Sequence, residues 1–190
     1  MINFILYSSS QIKLIMKSLL TVFVLVFFTT LCFSQDVKYG VRGGYTISNL
    51  DYKDAPINSN PHRNGFLFGV YIDYGITDSF SIVPELQFSP EGSDIEEFRN
   101  DYLNLPVLMK YKLFDRISIG VGPQVGLKVN KKNDGFKNFV FSAVGIFEIH
   151  INDEWSLDTR YHYGISNVYD NSLAPKAKNG VIQLGLNYKI

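Results

Sequence analysis

Three histidines, one cysteine and a series of evenly spaced charged residues are the side chains of this sequence that could do chemistry. His150 and His162 are the pair that suggests a metal centre. A hairpin turning at Asn152–Glu154 sets His162 opposite roughly Val144–Ile146, several residues along the strand from His150. At about 3.3 Å per residue that separation exceeds about 10 Å, too far for shared ligation at about 2 Å. His62 stands alone in a polar stretch. With Asp51 or Asp54 it marks the one rim position where an acid and an imidazole could meet for hydrolysis. No serine, histidine and acid converge in any strand register that can be drawn. Gly120, Gly122 and Gly126 in GVGPQVG lack the G-x-G-x-x-G spacing, and the alternating residues around Pro123 leave no helix to hold a pyrophosphate. These residues therefore read as no metal site, no cofactor site and no catalytic set, hence not an enzyme.

The charged residues form a different pattern. Arg42, Asp73, Glu85, Lys110, Lys128, Glu148, Asp158 and Arg160 each fall on the polar side of a segment whose other side is apolar. Charge taken out of water needs a partner, so these eight read as a mutually neutralising interior network. Across the Asn152–Glu154 turn, Glu148 is expected to pair with Arg160, with Asp158 nearby. The competing reading is a narrow ion path past Arg42, Lys110 and Lys128.

Eight segments must position these charges: Val37–Thr46, Gly65–Tyr74, Phe80–Ser89, Tyr102–Leu113, Ile117–Val129, Phe139–Ile151, Trp155–Gly164 and Asn179–Ile190. Each alternates with period two, the signature of a strand with one apolar face. In the last, Ile182, Leu184, Leu186, Tyr188 and Ile190 alternate with Gln183, Gly185, Asn187 and Lys189. Polar loops at Ile47–Asn64, Pro90–Asp101, Asn130–Asn138 and Ile165–Lys178 alternate with short turns at Gly75–Ser79, Phe114–Arg116 and Asn152–Glu154. Long loops on one side, short turns on the other and an even strand number describe an outer-membrane barrel. Such strands cross lipid only when closed on themselves, because an unpaired backbone group there costs several kcal/mol. A water-soluble barrel needs the opposite sorting, with charges outside. Tyr74, Phe80, Tyr111, Trp155 and Tyr188 gather at the short-turn ends, where an interfacial girdle belongs. Pro84, Pro106 and Pro123 fall inside strands and each removes a ladder donor, so bulges or local irregularities are expected there.

The chain of 190 residues fits one such domain, and its charges balance at 18 basic and 18 acidic. Mean hydropathy is +0.02, an average that conceals the sorting by face. Lys13 and Lys17 are the only charged residues before Asp36, so the remainder carries 16 basic against 18 acidic, a net of −2. Nothing there favours nucleic acid. Lys13 and Lys17, the apolar run Leu19–Phe28 and the Cys32-Phe33-Ser34 site read as a signal peptide over residues 1–34, cut between Ser34 and Gln35. Met16 is an alternative true start. A membrane anchor is the other reading, but the uncharged run Ser18–Gln35 is short of the ~20 residues a spanning helix needs. Acylation of Cys32 is disfavoured by Leu31, which is not the small residue a lipoprotein signal requires. Removal of the leader leaves a domain over residues 35–190 with no thiol.

The stretches VPELQFSPEGS (Val83–Ser93), YLNLPVLMKYKL (Tyr102–Leu113), GVGPQVG (Gly120–Gly126) and SLDTRYHYGISNV (Ser156–Val168) resemble the PorT-like porin family of Gram-negative outer-membrane barrel domains. The resemblance covers nearly all of Asp36–Ile190 and includes the three troublesome prolines. It implies the outer-membrane barrel fold and, for one branch, a place in a secretion machinery. It also implies that Gln183, Gly185, Tyr188 and Ile190 are the terminal signal by which such barrels address the insertion machinery. The expectation is an all-β, eight-stranded, antiparallel up-and-down transmembrane barrel in the bacterial outer membrane. It is expected to be monomeric and non-enzymatic, to contact outer-membrane lipid, and to have a lumen filled by its own side chains. The alternatives are an accessory subunit of a secretion or transport complex, acting through Ile47–Asn64 and Ile165–Lys178, and a narrow porin-like channel.

Overall fold

The computed structural model describes residues 37–52, 61–130, 135–170 and 176–190. The leader at 1–34, its cleavage point at Ser34 and Gln35, and Asp54 lie outside the described residues. Eight antiparallel strands, β1 (Val37–Tyr52), β2 (Arg63–Gly75), β3 (Phe80–Gly92), β4 (Arg99–Phe114), β5 (Ile117–Lys128), β6 (Phe139–His150), β7 (Trp155–Gly164) and β8 (Ala177–Lys189), each pair with the next. β1 returns to β8 through Gly40↔Lys189 to Tyr52↔Ala177, so the sheet closes into a barrel and no edge is left unpaired along the wall.

The faces sort as period two demands. Leu105 and Leu184 point outward and stay half exposed, and Phe66 is 81% exposed, while Arg42 is wholly buried in the lumen. The aromatic girdle is outward too: Phe80 pairs with Tyr111 across β3–β4, and the Trp155 and Tyr188 rings lie 4.7 Å apart across β7–β8.

Five strands run further toward the long loops than the apolar alternation indicates. β1 continues through Ile47–Tyr52, β2 begins at Arg63, β3 continues through Pro90–Gly92, β4 begins at Arg99 and β8 at Ala177. Beyond the apolar belt the ladder still satisfies backbone groups, and polar residues such as Ser48, Asn49, Glu91 and Asn100 carry it without any apolar period to announce it.

At the prolines the structure has local irregularity rather than bulges. The β2–β3 ladder skips two rungs between Tyr71↔Glu85 and Tyr74↔Ile82, at Pro84. The β3–β4 ladder skips two between Pro84↔Val107 and Gln87↔Asn104, at Pro106, and β4–β5 skips two between Pro106↔Gln124 and Met109↔Val121, at Pro123. Register is the same on either side of each gap, and the register shift of β4–β5 lies instead at Lys112/Phe114. The missing N–H of each proline breaks a rung without adding a residue, so side chains keep their faces.

Inside, two apolar clusters bracket polar layers. Tyr71, Val83, Leu108, Val144 and Ile146 pack in the middle of the lumen. At the long-loop end Leu50, Tyr102, Phe136, Val140, Val168 and Ala177 form a second cluster, with Tyr52, Phe98 and Tyr169 against it. Phe136 and Tyr169, from two different loops, form a backbone bridge and stack at 4.8 Å.

Candidate functional site in the barrel lumen

Alternation places Arg42 on the inner face of β1, where its guanidinium lies flat over Gly185 of β8; a β-carbon there would sit 2.6 Å from Arg42 Nε. That small residue lets the arginine reach across. Its Nε and Nη2 donate to the two Asp158 oxygens at 2.8 and 2.6 Å, a bidentate pair with β7. Its Nη1 donates to Gln87 of β3 and Gln183 of β8. Asp158 also accepts from Asn187 at 2.8 Å. Arg160, two residues along β7, donates to Glu85 of β3 at 2.7 Å and lies 3.4 Å from Asp158. Strands β3 and β7 stand four apart in a ring of eight, so the Arg160–Glu85 pair spans opposite walls of the lumen.

Nearer the short turns, Lys110 meets Glu148 in an ion pair and lies 3.7 Å from Asp73, which also faces Lys189 at 4.0 Å. Glu148 accepts a second bond from Ser156. The pairing expected of Glu148 is thus corrected: it sits opposite Asp158 in the β6–β7 register, but its partner is Lys110, and Arg160 turns to Glu85. Two like charges face each other across that rung, and each finds its cation on another strand. Lys128 stands toward the long-loop end, at the close of β5. It is buried near the outer mouth, 5.5 Å from the centre of the Phe136 ring and 3.4 Å from the Phe136 carbonyl oxygen.

His162 lies opposite Val144, buried among the lumen layers. His150 sits at the inner mouth, with Ser118 Oγ 2.9 Å from its Nε2. Ser118 pairs with Glu148 across β5–β6, which puts His150 on the diagonal. The Glu148 carboxylate is taken by Lys110 and Ser156, so it is not free to orient the imidazole as a triad acid would. At the outer rim, His62 bridges Ser93, while Asp51 lies opposite Lys178; no contact joins Asp51 to His62 among the described residues. Likewise among the described residues, no three His, Cys, Asp or Glu side chains gather as metal ligands.

In the closing strand, Gln183 and Gly185 face the lumen against Arg42, Tyr188 packs outward on Trp155, and the Ile190 N–H donates to the Tyr39 carbonyl. Sequence reasoning missed Glu91. It is buried in the lumen beside Asn104 and Asn179, whose amides donate to its two oxygens at 2.7 and 3.0 Å. The Ser-Pro-Glu-Gly-Ser string around it looks like a turn, and the apolar alternation that would have signalled a strand ends at Phe88. Outside the wall-spanning strands, burial and then a hydrogen bond with Tyr52 raise the Tyr169 hydroxyl above the usual tyrosine range.

A family model described as outer membrane protein beta-barrel domain matches residues 33–170. No curated protein matches the chain. Among solved structures, the attachment invasion locus protein Ail of Yersinia pestis is similar with a TM-score of 0.53 at 14% identity, over 80% of this chain and 98% of that one. Neisserial surface protein A is similar with a TM-score of 0.53 at 10% identity, over 80% and 97%. A backbone structure of Yersinia pestis Ail in a phospholipid bilayer nanodisc gives 0.50 at 12%, over 82% and 100%. At these identities the likeness is one of fold.

Proposed function

The chain belongs to the outer membrane protein beta-barrel domain family and is a protein of the bacterial outer membrane, and on that premise we propose that it is a non-catalytic, monomeric barrel whose lumen is plugged by its own side chains. The observation that carries this is the Arg42–Asp158–Arg160–Glu85 chain, which joins β1, β7 and β3 across the lumen with every member buried. The apolar cluster around Phe136 supports it from the outer side. The outward face is then the lipid contact, and the loops at the long-loop end are the surface left for partners. Gln183, Gly185, Tyr188 and Ile190 serve during assembly as the signal read by the insertion machinery. Purified full chain in a planar bilayer is expected to pass no steady current in molar salt. Steady ion flow with small-solute permeation would overturn the plug in favour of a narrow porin-like channel.

The PorT-like assignment rests on Val83–Ser93, Tyr102–Leu113, Gly120–Gly126 and Ser156–Val168, and with it comes the second reading, an accessory of a secretion or transport complex. Under gentle detergent that reading expects a stable companion to co-purify; recovery of the barrel alone counts against it.

A further inference from the structure

Every other inward carboxylate of the described strands has a cation beside it: Asp73, Glu85, Glu148 and Asp158 are all ion-paired. Glu91 has none. It is 3% exposed, and no lysine or arginine among the described residues lies within ion-pair distance of its carboxylate. Arg63 comes near, but its Nη1 donates to the main-chain oxygens of Glu91 and Asn100, and its Nη2 to the Asp101 carboxylate. Asn104, Asn179 and Ser89 bond the carboxylate and Arg63 acts on it only from beyond ion-pair distance; a buried negative charge so held is costly, and a counter-ion reduces that cost.

The groups around Glu91 supply what a counter-ion needs. Asn100 is its direct partner across β3–β4 on the same inner face, Asn104 lies two inward positions further along β4, and Asn179 reaches in from β8. All three asparagines are at least nine-tenths buried, and the amide oxygen of each has no hydrogen-bond partner among the described residues. Half a rotation of a carboxamide exchanges its nitrogen and oxygen in place. Asn104 and Asn179 can therefore turn oxygen instead of N–H toward the carboxylate, one at each of its oxygens, with Asn100 across the β3–β4 rung. Carboxylate and amide oxygens without sulfur or imidazole are the donor set of hard cations and a poor one for zinc or copper.

We propose that Glu91, Asn100, Asn104 and Asn179 form a binding site for one hard cation, of the sodium or calcium class, in the outer mouth of the barrel. The ion ties β3, β4 and β8 together beside the aromatic cover. The full chain, refolded in detergent at pH 8, is titrated with calcium chloride, sodium chloride and potassium chloride against choline chloride at constant ionic strength, and its thermal unfolding is followed by circular dichroism. At least one metal ion should raise the midpoint saturably where choline does not. Glu91→Gln should abolish the response, Asn179→Asp should tighten calcium at least tenfold by adding a second carboxylate, and Asp94→Asn on the outer loop should leave the response intact. If Glu91→Gln fails to fold, Asn179→Asp and calorimetric calcium titration of the wild type carry the test. No saturable response to any of the metals, or one unchanged in Glu91→Gln, overturns the site. Stabilisation by acid alone assigns Glu91 a proton instead and overturns it equally.

Discussion

At the scale of the residue, Arg42 carries the largest consequence. It makes four hydrogen bonds to three strands from a wholly buried position. Arg42→Met removes the cation but leaves Asp158 with only Arg160 and Asn187, and breaking one side of a buried pair costs about 3–5 kcal/mol. The expected result is that loss in equilibrium urea unfolding from vesicles, with much of it recovered in Arg42→Met/Asp158→Leu, where no unpaired charge remains. The inward direction of these charges was legible in the sequence because each shares parity with polar neighbours on its strand. Their partners were not. Arg160 and Glu85 lie 75 residues apart on opposite walls, and only the closed ring brings them together.

At the scale of the element, the strand face decides the outcome of a substitution. Leu105→Arg or Leu184→Arg places a cation on the outward face, with an expected cost of ~2–4 kcal/mol near the bilayer midplane, measured by folding equilibria in vesicles. Tyr188→Arg, in the girdle beside Trp155, is expected to cost only about 0–1 kcal/mol. Equal costs at all three would mean that the apolar belt is not centred where the strands place it. The eight strands and their faces were legible because lipid imposes period two on the wall. The outer extensions of β1, β2, β3, β4 and β8 were not, since no solvent distinction between faces operates beyond the belt. Glu91 was lost to sequence reasoning for that same reason.

At the scale of the whole molecule, closure of β1 on β8 predicts behaviour in the gel and the membrane. Unheated protein in dodecyl sulfate is expected to run as a compact species and to shift on boiling, and to stay with membranes through alkaline carbonate extraction. Release by carbonate, or one mobility before and after heating, would contradict a closed transmembrane barrel.

The three prolines give the cylinder a grain. Their skipped rungs step from β2–β3 to β3–β4 to β4–β5, so one oblique line of the wall is held by side-chain contact where the rest is stitched by hydrogen bonds. Deuterium is expected to enter at Ile72, Glu85 and Val107, the residues opposite the three prolines on the skipped rungs, before Val144 and Ile146, where the β5–β6 and β6–β7 ladders run unbroken. A membrane that squeezes or thins around this barrel would therefore bend it in a set direction, ovalising it along that slanted line.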